Sequence, residues 1–596
     1  MADVKETRYS DRTDSFEDKL RLLEAAWKRK DFRVARALAM SLRSTMEQAQ
    51  AEEESLGRPL QGANDSGETA ALPAAWREWA RGWKYWKAVA LDETAGVARP
   101  PEPVEIVIAA AAGQADSLAR EVRVAAVRGN GTLVEVPCQV HGEVRRGAGE
   151  RLAKVLFLAS SAAHTRSTYL VFFGNPDAEL PAYPSDLRVA GEGYGLDIEN
   201  DFFKASLSRQ MGQLERLSYK REHGLELFAG GEGHGEPPGI DWAHDYVGSG
   251  NFQKLRITLW ERCPDYEVVR GPVATIVRRW GFPHSPLHPV FSPSRVHFDV
   301  EYRFFVGLPW FLKQGRVDVV KDVEIDALRD DEWVFSGQSF TDVLWMGPDG
   351  KLKMGAVDPA LRDNMWAVGF MNREAKDLFV ALFLEHRSEG LPEPKHGGSP
   401  LFFYKWHGHV WSRYPLPVKQ VPAGAVLHQK NAYLAAMWNA ETGARDLEGL
   451  RHRLVNPLAV SAGELPSKGA GAASPGKLAR PGEAGDSPIS KRALWTALAD
   501  CKDEQLYATM PSVVDLGLVY DLRVRGDVVT VVLAMPHRGR PRAGFFEFGS
   551  GGNTMPIRQR LMKVPGVSKV VVEQTWEPGW NSNRLSDNGR KLMGLA

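Results

Sequence analysis

The stretch RVHFDVEYRFFV, residues 295–306, alternates apolar and polar side chains: Val296, Phe298, Val300, Tyr302 and Phe304 fall on one face, with His297, Asp299, Glu301 and Arg303 on the other. A period of two is that of a β-strand with one buried face. Runs of the same style lie on both sides, FFKASLS, QLERLSY, FQKLRITLW, YEVVRG and ATIVRRW before it, VDVVKDVEI and LFVALFLEH after it. One very large antiparallel sandwich over residues 191–460 is the economical reading.

Working outward, VEIVIAA, REVRVAAV, TLVEVPCQV, AKVLFLA and STYLVFF are short strands split by Gly, Asn and Pro, and predict a small antiparallel β-sandwich over residues 96–190. Upstream, residues 1–95 read as helical. Phe16, Leu20, Leu23 and Trp27, then Val34, Leu38 and Leu42, recur at helical spacing with Lys30-Asp31 as a turn between them, which predicts a helical hairpin. Trp76, Trp79, Trp83 and Trp86 predict a second short helix whose tryptophan stripe packs on the domain that follows.

Residues 461–487 are rich in Gly, Ala, Pro and Ser and read as a flexible linker. Gly471 to Lys477 imitates a phosphate-binding loop, but Leu478 stands where Ser or Thr would hold magnesium and no strand precedes it, so the match is chance. Residues 488–596 run helix, strand pair, helix, strand, a compact α+β unit. The expected fold is therefore mainly β and multidomain: an N-terminal helical hairpin, a small antiparallel β-sandwich, a large β-supersandwich and a C-terminal small α+β domain.

Composition narrows the function. Lys plus Arg equals Asp plus Glu, 75 against 75, so no positive field favours nucleic acid. No stretch approaches the roughly 20 apolar residues of a membrane span and the N-terminus has no apolar export region, so a cytoplasmic protein that binds neither nucleic acid nor membrane is expected. Cys138, Cys263 and Cys501 are too far apart to suggest a disulfide framework or a four-thiolate metal site, and read as buried apolar residues.

In the C-terminal unit, Val513-Val-Asp-Leu-Gly-Leu-Val-Tyr520, Val567-Ser-Lys-Val-Val-Val-Glu573, Trp576-Glu-Pro-Gly-Trp580 and Arg584-Leu-Ser586 follow one another. In order and spacing they resemble the MIP18 (PaaD-like, DUF59) domain nearly end to end. The resemblance implies a role in iron–sulfur cluster delivery or as an accessory to multicomponent oxygenases. Many members carry a cysteine in the loop after the second strand. Here that loop reads Met535-Pro-His-Arg-Gly-Arg-Pro541, without one, and His537 alone cannot replace a thiolate. No iron–sulfur cluster is expected on this domain, and any other cofactor is left open. Arg538 and Arg540 suit the loop to an acidic protein partner, against the alternative of a solvated basic loop.

Ile198-Glu-Asn-Asp-Phe-Phe-Lys204, Gly212-Gln-Leu214 and Glu267-Val-Val-Arg-Gly-Pro-Val273 resemble the galactose-mutarotase-like supersandwich of polysaccharide lyases and glycosidases. The resemblance carries no catalytic assignment. A lyase needs a cation, a base and an acid, and Tyr404, His407, His409 and Arg413 offer those types within one segment. His407 and His409 would share a face on a strand, where they could instead bind a metal with Glu385 or His386, or simply be a satisfied histidine pair. His244 and Tyr246, beside a glycine-rich loop, are further acid/base candidates.

Two functions of different class follow. The first is an intracellular carbohydrate-active enzyme, lyase- or hydrolase-like, acting on a small glycoside through those histidines and tyrosines. The second is a non-catalytic scaffold, or a maturation or accessory component of a metalloenzyme, that acts through the MIP18-like domain.

Overall fold

The computed structural model describes residues 13–42, 67–209, 212–220, 226–228, 244–247, 254–260, 265–284, 296–392, 401–465, 489–503, 509–535 and 556–594, with shorter breaks inside some of these ranges. The protein is mainly β and multidomain. Its chain divides into two compact units: Met1–Tyr9, Ala51–Pro184 and Leu458–Ala596 form one, and Ser10–Gln50 with Ser185–Pro457 the other. These units cut across the five consecutive segments expected from composition.

In the second unit the alternating run behaves as its period requires. Val296–Phe305 is the third strand of a nine-stranded antiparallel sheet ordered Asp265–Arg270, Ala274–Gly281, Val296–Phe305, Trp310–Val319, Val426–Met437, Asp377–Glu389, Ala367–Met371, Asp342–Met346 and Leu352–Met354. A five-stranded antiparallel sheet over residues 188–228 contributes to the same core. Phe304, Phe311 and Tyr433 come from three adjacent strands and stack with centroids 4.9 and 5.3 Å apart. Each is fully buried, a contribution of about 1.5–3 kcal/mol per side chain.

The opposite face of that sheet carries the polar half of the alternation. The N-terminal helix Thr13–Lys28 brings Lys19 to it: the ammonium is fully buried and lies 3.3 Å from Asp318. After the helix, Lys30 takes a left-handed conformation, φ 58°, and Asp31 caps the next helical turn by accepting from the Val34 amide at 3.2 Å. Ala26, Ala35 and Leu38 then bury themselves with Val320. Helical residues on both sides of this turn make the helical hairpin, and it packs within the unit of the central sheets.

In the first unit the tryptophan stripe departs from a continuous helix. The helix is Ala74–Trp79 only, since Gly82 at φ 100° turns the chain, and Trp86 belongs to the strand Tyr85–Asp92. The stripe survives the break because Trp76, Trp79 and Trp83 are buried in one cluster with Leu170 and Phe172 of the sandwich. The Trp76 and Trp83 indoles donate to the carbonyls of Gly131 and Glu121 at 2.9 and 2.6 Å.

Strand Tyr85–Asp92 lies between Arg166–Phe173 and Ala459–Ala462. The sandwich thus begins before residue 96, and its sheet recruits residues that composition assigns to the end of the central domain and the start of a linker. Gly463 extends the contact by donating to the Ala88 carbonyl at 2.9 Å. Local composition carries no information about a pairing partner so distant in sequence.

Candidate functional site

The C-terminal domain is built around Lys491–Ala499, a helix capped by Ser490, whose side chain accepts from the Ala493 amide. Val519–Arg525 pairs antiparallel with Val528–Ala534, which pairs in parallel with Lys569–Thr575. Alternating Val529, Val531 and Leu533 are fully buried under Leu494, Leu498, Ile557 and Leu561, which accounts for the strand–helix packing.

The motif blocks converge on one knot. The Asp515 carboxylate accepts from the Ser512 amide at 2.9 Å, the Ser512 hydroxyl at 2.7 Å and the Asn588 amide group at 2.9 Å. Burial alone would raise its pKa, but these hydrogen bonds, with the Lys502 charge, hold it below the usual carboxylate value. Trp580 donates to the Leu516 carbonyl at 2.6 Å. Gly517 has φ 61°, and a Cβ there would lie 1.8 Å from the Arg584 carbonyl, so only glycine permits this approach. Gly589 is a second close approach, with a Cβ 2.0 Å from the Asp515 carbonyl. Sequence reading found these blocks as a resemblance. Their joint function, tying residues 512–517 to 580–589, is visible only in three dimensions.

These residues do not fit a resident iron–sulfur cluster. Cys501 is the domain's sole cysteine, and it is buried, with burial pushing its thiol up to about 12. It behaves as a small core residue, as does Cys138 of the sandwich, pushed up by burial to about 11. His537, Arg538 and Arg540 lie outside the described residues.

The acid/base candidates of the central region are described only by their backbone. Tyr404 ends the strand Leu401–Tyr404 and stands opposite Gly408, where the strand Gly408–Arg413 begins. The segment is thus two antiparallel strands and not one. His409 pairs with Phe403 on one side and Phe335 on the other, and Arg413 pairs with Asp331. His244 and Tyr246 lie in a different three-stranded sheet, opposite Leu328 and Leu255 respectively. His407 lies outside the described residues.

What sequence reading missed is a polar band on the core-facing side of the nine-stranded sheet. Arg279, Lys313, Gln429, Asn431 and His386 occupy adjacent registers there and are all buried. His386 Nε2 lies 2.8 Å from the Asn431 Oδ1, and the Asn431 amide group donates to the Tyr433 hydroxyl at 3.1 Å. Gln429 is 3% exposed, and among the described residues both ends of its side-chain amide lack a hydrogen-bond partner. The available signal was the interruption of the apolar phase by polar residues on strands otherwise apolar on that face. His297 is on the opposite face beside Lys19 and Asp318, and burial together with the Lys19 charge pushes it down to about 4.

No family model matches the chain. It is 31% identical over 85 residues, 14% of this chain and 74% of the other, to an Fe-S protein maturation auxiliary factor from Porphyromonas gingivalis. A solved Domain of Unknown Function DUF59 from Bacillus anthracis is 25% identical, with 18% of this chain and 92% of that one covered and a TM-score of 0.15. A protein in the Glycosyl Hydrolase Family 38 from Enterococcus faecalis is 11% identical, with 74% and 51% covered and a TM-score of 0.40. A galactose 1-epimerase from Lactobacillus acidophilus is 8% identical, with 43% and 100% covered and a TM-score of 0.25. This chain spans about half the length of the glycosyl hydrolase. At these scores the three structural likenesses carry no argument about activity. The maturation factor is matched across most of its own length, and the match has the size of the domain in which the motif blocks are tied together; through that domain the chain belongs to the MIP18-type family of Fe-S protein maturation factors.

Proposed function

We propose that the chain is an auxiliary component in the maturation of iron–sulfur or other metalloenzymes, working by protein contact and carrying no cluster itself. The observation behind this reading is the C-terminal domain: its family motifs form a rigid, hydrogen-bonded knot, while its one thiol is buried and pushed up to about 12. A thiol in that state is not a ligand, because the thiolate is the form that binds metal. What remains for the domain to offer is a surface.

The test is genetic and biochemical. Deleting the chain should lower the activity and iron content of iron–sulfur enzymes in cell extracts, and the full chain should restore them. A Cys501→Ser chain of normal stability should restore them equally well. Unchanged enzyme activities on deletion, or failure of the folded Cys501→Ser chain alone, would falsify the reading.

One observation favours a second reading, a small glycoside taken by the central region in lyase- or hydrolase-like chemistry. Gln429 presents a buried donor and acceptor with no hydrogen-bond partner among the described residues, on a sheet face that also carries Arg279 and Lys313. Tyr404, His407, His409, His244 and Tyr246 are its acid/base candidates, with Arg413 as the cation. Replacing His407 and His409 with alanine should then abolish turnover of the glycoside while leaving the C-terminal domain's contacts unaltered.

A further inference from the structure

The C-terminal domain and the small sandwich belong to one compact unit, yet each has its own core. The apolar cluster of the domain draws on residues 489–585, and those of the sandwich on residues 72–183 together with Leu458 and Leu465. Among the described residues no apolar cluster contains members of both. Ion pairs and hydrogen bonds join them. Glu179, 5% exposed, pairs with Lys491 at 2.7 Å and Arg525 at 3.0 Å, and its carboxylate also accepts from the Val524 amide at 3.4 Å. The Leu180 amide donates in the other direction, to Asp521 at 3.3 Å. Lys491 donates to the Asp177 carbonyl at 2.8 Å, and the Arg120 guanidinium lies 4.9 Å over the Trp495 ring. Arg145 donates to the Leu585 carbonyl at 2.8 Å and pairs with Asp587, directly beside the motif knot.

Among the described residues Val519–Arg525 is an edge strand of the domain's sheet, so its outer amides need a partner. Residues 179–180 supply one from the sandwich. An interface of separate cores joined by ion pairs and hydrogen bonds, with Arg525 42% and Asp587 72% exposed, resembles a transient protein contact and is open to screening by salt. We propose that it is a reversible latch, in which Glu179 occupies in cis the edge, marked by Lys491 and Arg525, where a carboxylate-bearing segment of a client protein docks. This rests on the maturation reading and adds to it the chemistry of the partner and a means of control: the domain docks a client when an acidic segment displaces Glu179.

Hydrogen exchange on the full chain tests the latch without a client, so its failure would leave the maturation reading standing. Glu179→Gln keeps the volume and removes the charge, and should speed exchange at the Val524 and Leu180 amides by about tenfold, with the buried amides of Val528–Ala534 unchanged. Exchanging the charges, Glu179→Lys with Lys491→Glu and Arg525→Glu, should restore slow exchange at the Leu180 amide, whose acceptor Asp521 is unchanged, and not at the Val524 amide, because an ammonium cannot accept a hydrogen bond. On the unaltered chain, polyglutamate should speed the Leu180 amide while its own carboxylates keep Val524 protected, and polylysine at equal ionic strength should speed neither. Unchanged exchange in Glu179→Gln, or equal effects of the two polymers, overturns the proposal. If Val528–Ala534 also loses protection in the variant, the polymer comparison alone decides it.

Discussion

The C-terminal knot and the polar band of the central sheet both bury polar groups, but they settle them in opposite ways. Asp515 receives three hydrogen bonds of 2.7–2.9 Å from groups brought by two motif blocks. Gln429, more deeply buried, receives none among the described residues. A fully satisfied network rigidifies its surroundings, whereas an unsatisfied buried amide costs about 1–3 kcal/mol that some other gain must offset. The first region is built to hold a shape, and the second leaves recognition capacity unused.

The comparison can be broken most forcefully at the apolar end of the central sheet. Phe311→Ala removes the ring between Phe304 and Tyr433, and chemical denaturation should show the central unit losing about 3–5 kcal/mol. A smaller effect is expected from pH. His297 has a folded-state pKa of about 4 against 6.5 when exposed, so folding favours its neutral form. Its contribution is complete above pH 6.5 and is lost as pH falls through about 4, an effect of about 3 kcal/mol. Lys19, Asp318, Arg316 and Asp299 surround this region and the Lys19 charge acts with burial, so Lys19→Met should weaken the pH dependence of the denaturation midpoint.

In the C-terminal domain, Gly517→Ala should destabilise by about 2 kcal/mol or more, since it combines a left-handed backbone with a collision against the Arg584 carbonyl. A thermal melt of the full chain should show that domain's transition moving down while the central one stays. The smallest expected effect has the opposite sign. Gln429→Met keeps the volume and removes both unsatisfied groups, and should stabilise the central unit by about 1 kcal/mol. A loss of stability instead would mean that the amide has a partner in solution, and the contrast between the two regions would disappear.

Legibility in the sequence followed the range of the interactions. The alternation of residues 295–306 disclosed a strand and its two faces, because strand geometry converts a local period directly into sidedness, but not that His297 on the polar face is buried too. The motif blocks disclosed the C-terminal domain for a related reason: the close approaches at Gly517 and Gly589 tolerate few alternatives. The helix carrying the tryptophan stripe was foreseen too long, since Gly82 turns the chain at φ 100° while burial still collects Trp83. Segments assigned by composition to separate domains became neighbours in one sheet, as Ala459–Ala462 did beside Tyr85–Asp92.

The sequence by itself determined a mainly β chain with a family-specific α+β end, the absence of a suitable thiol in the loop after its second strand, and a balance of charge that favours no nucleic acid. Tertiary structure alone decided that Glu179 meets Lys491 and Arg525, and that the Gln429 side-chain amide finds no hydrogen-bond partner among the described residues. The reason is physical. Periodicity and turn chemistry are set by neighbours within a few residues, whereas the ionisation and hydrogen bonding of a side chain depend on groups hundreds of residues away that only the folded chain brings within hydrogen-bonding distance.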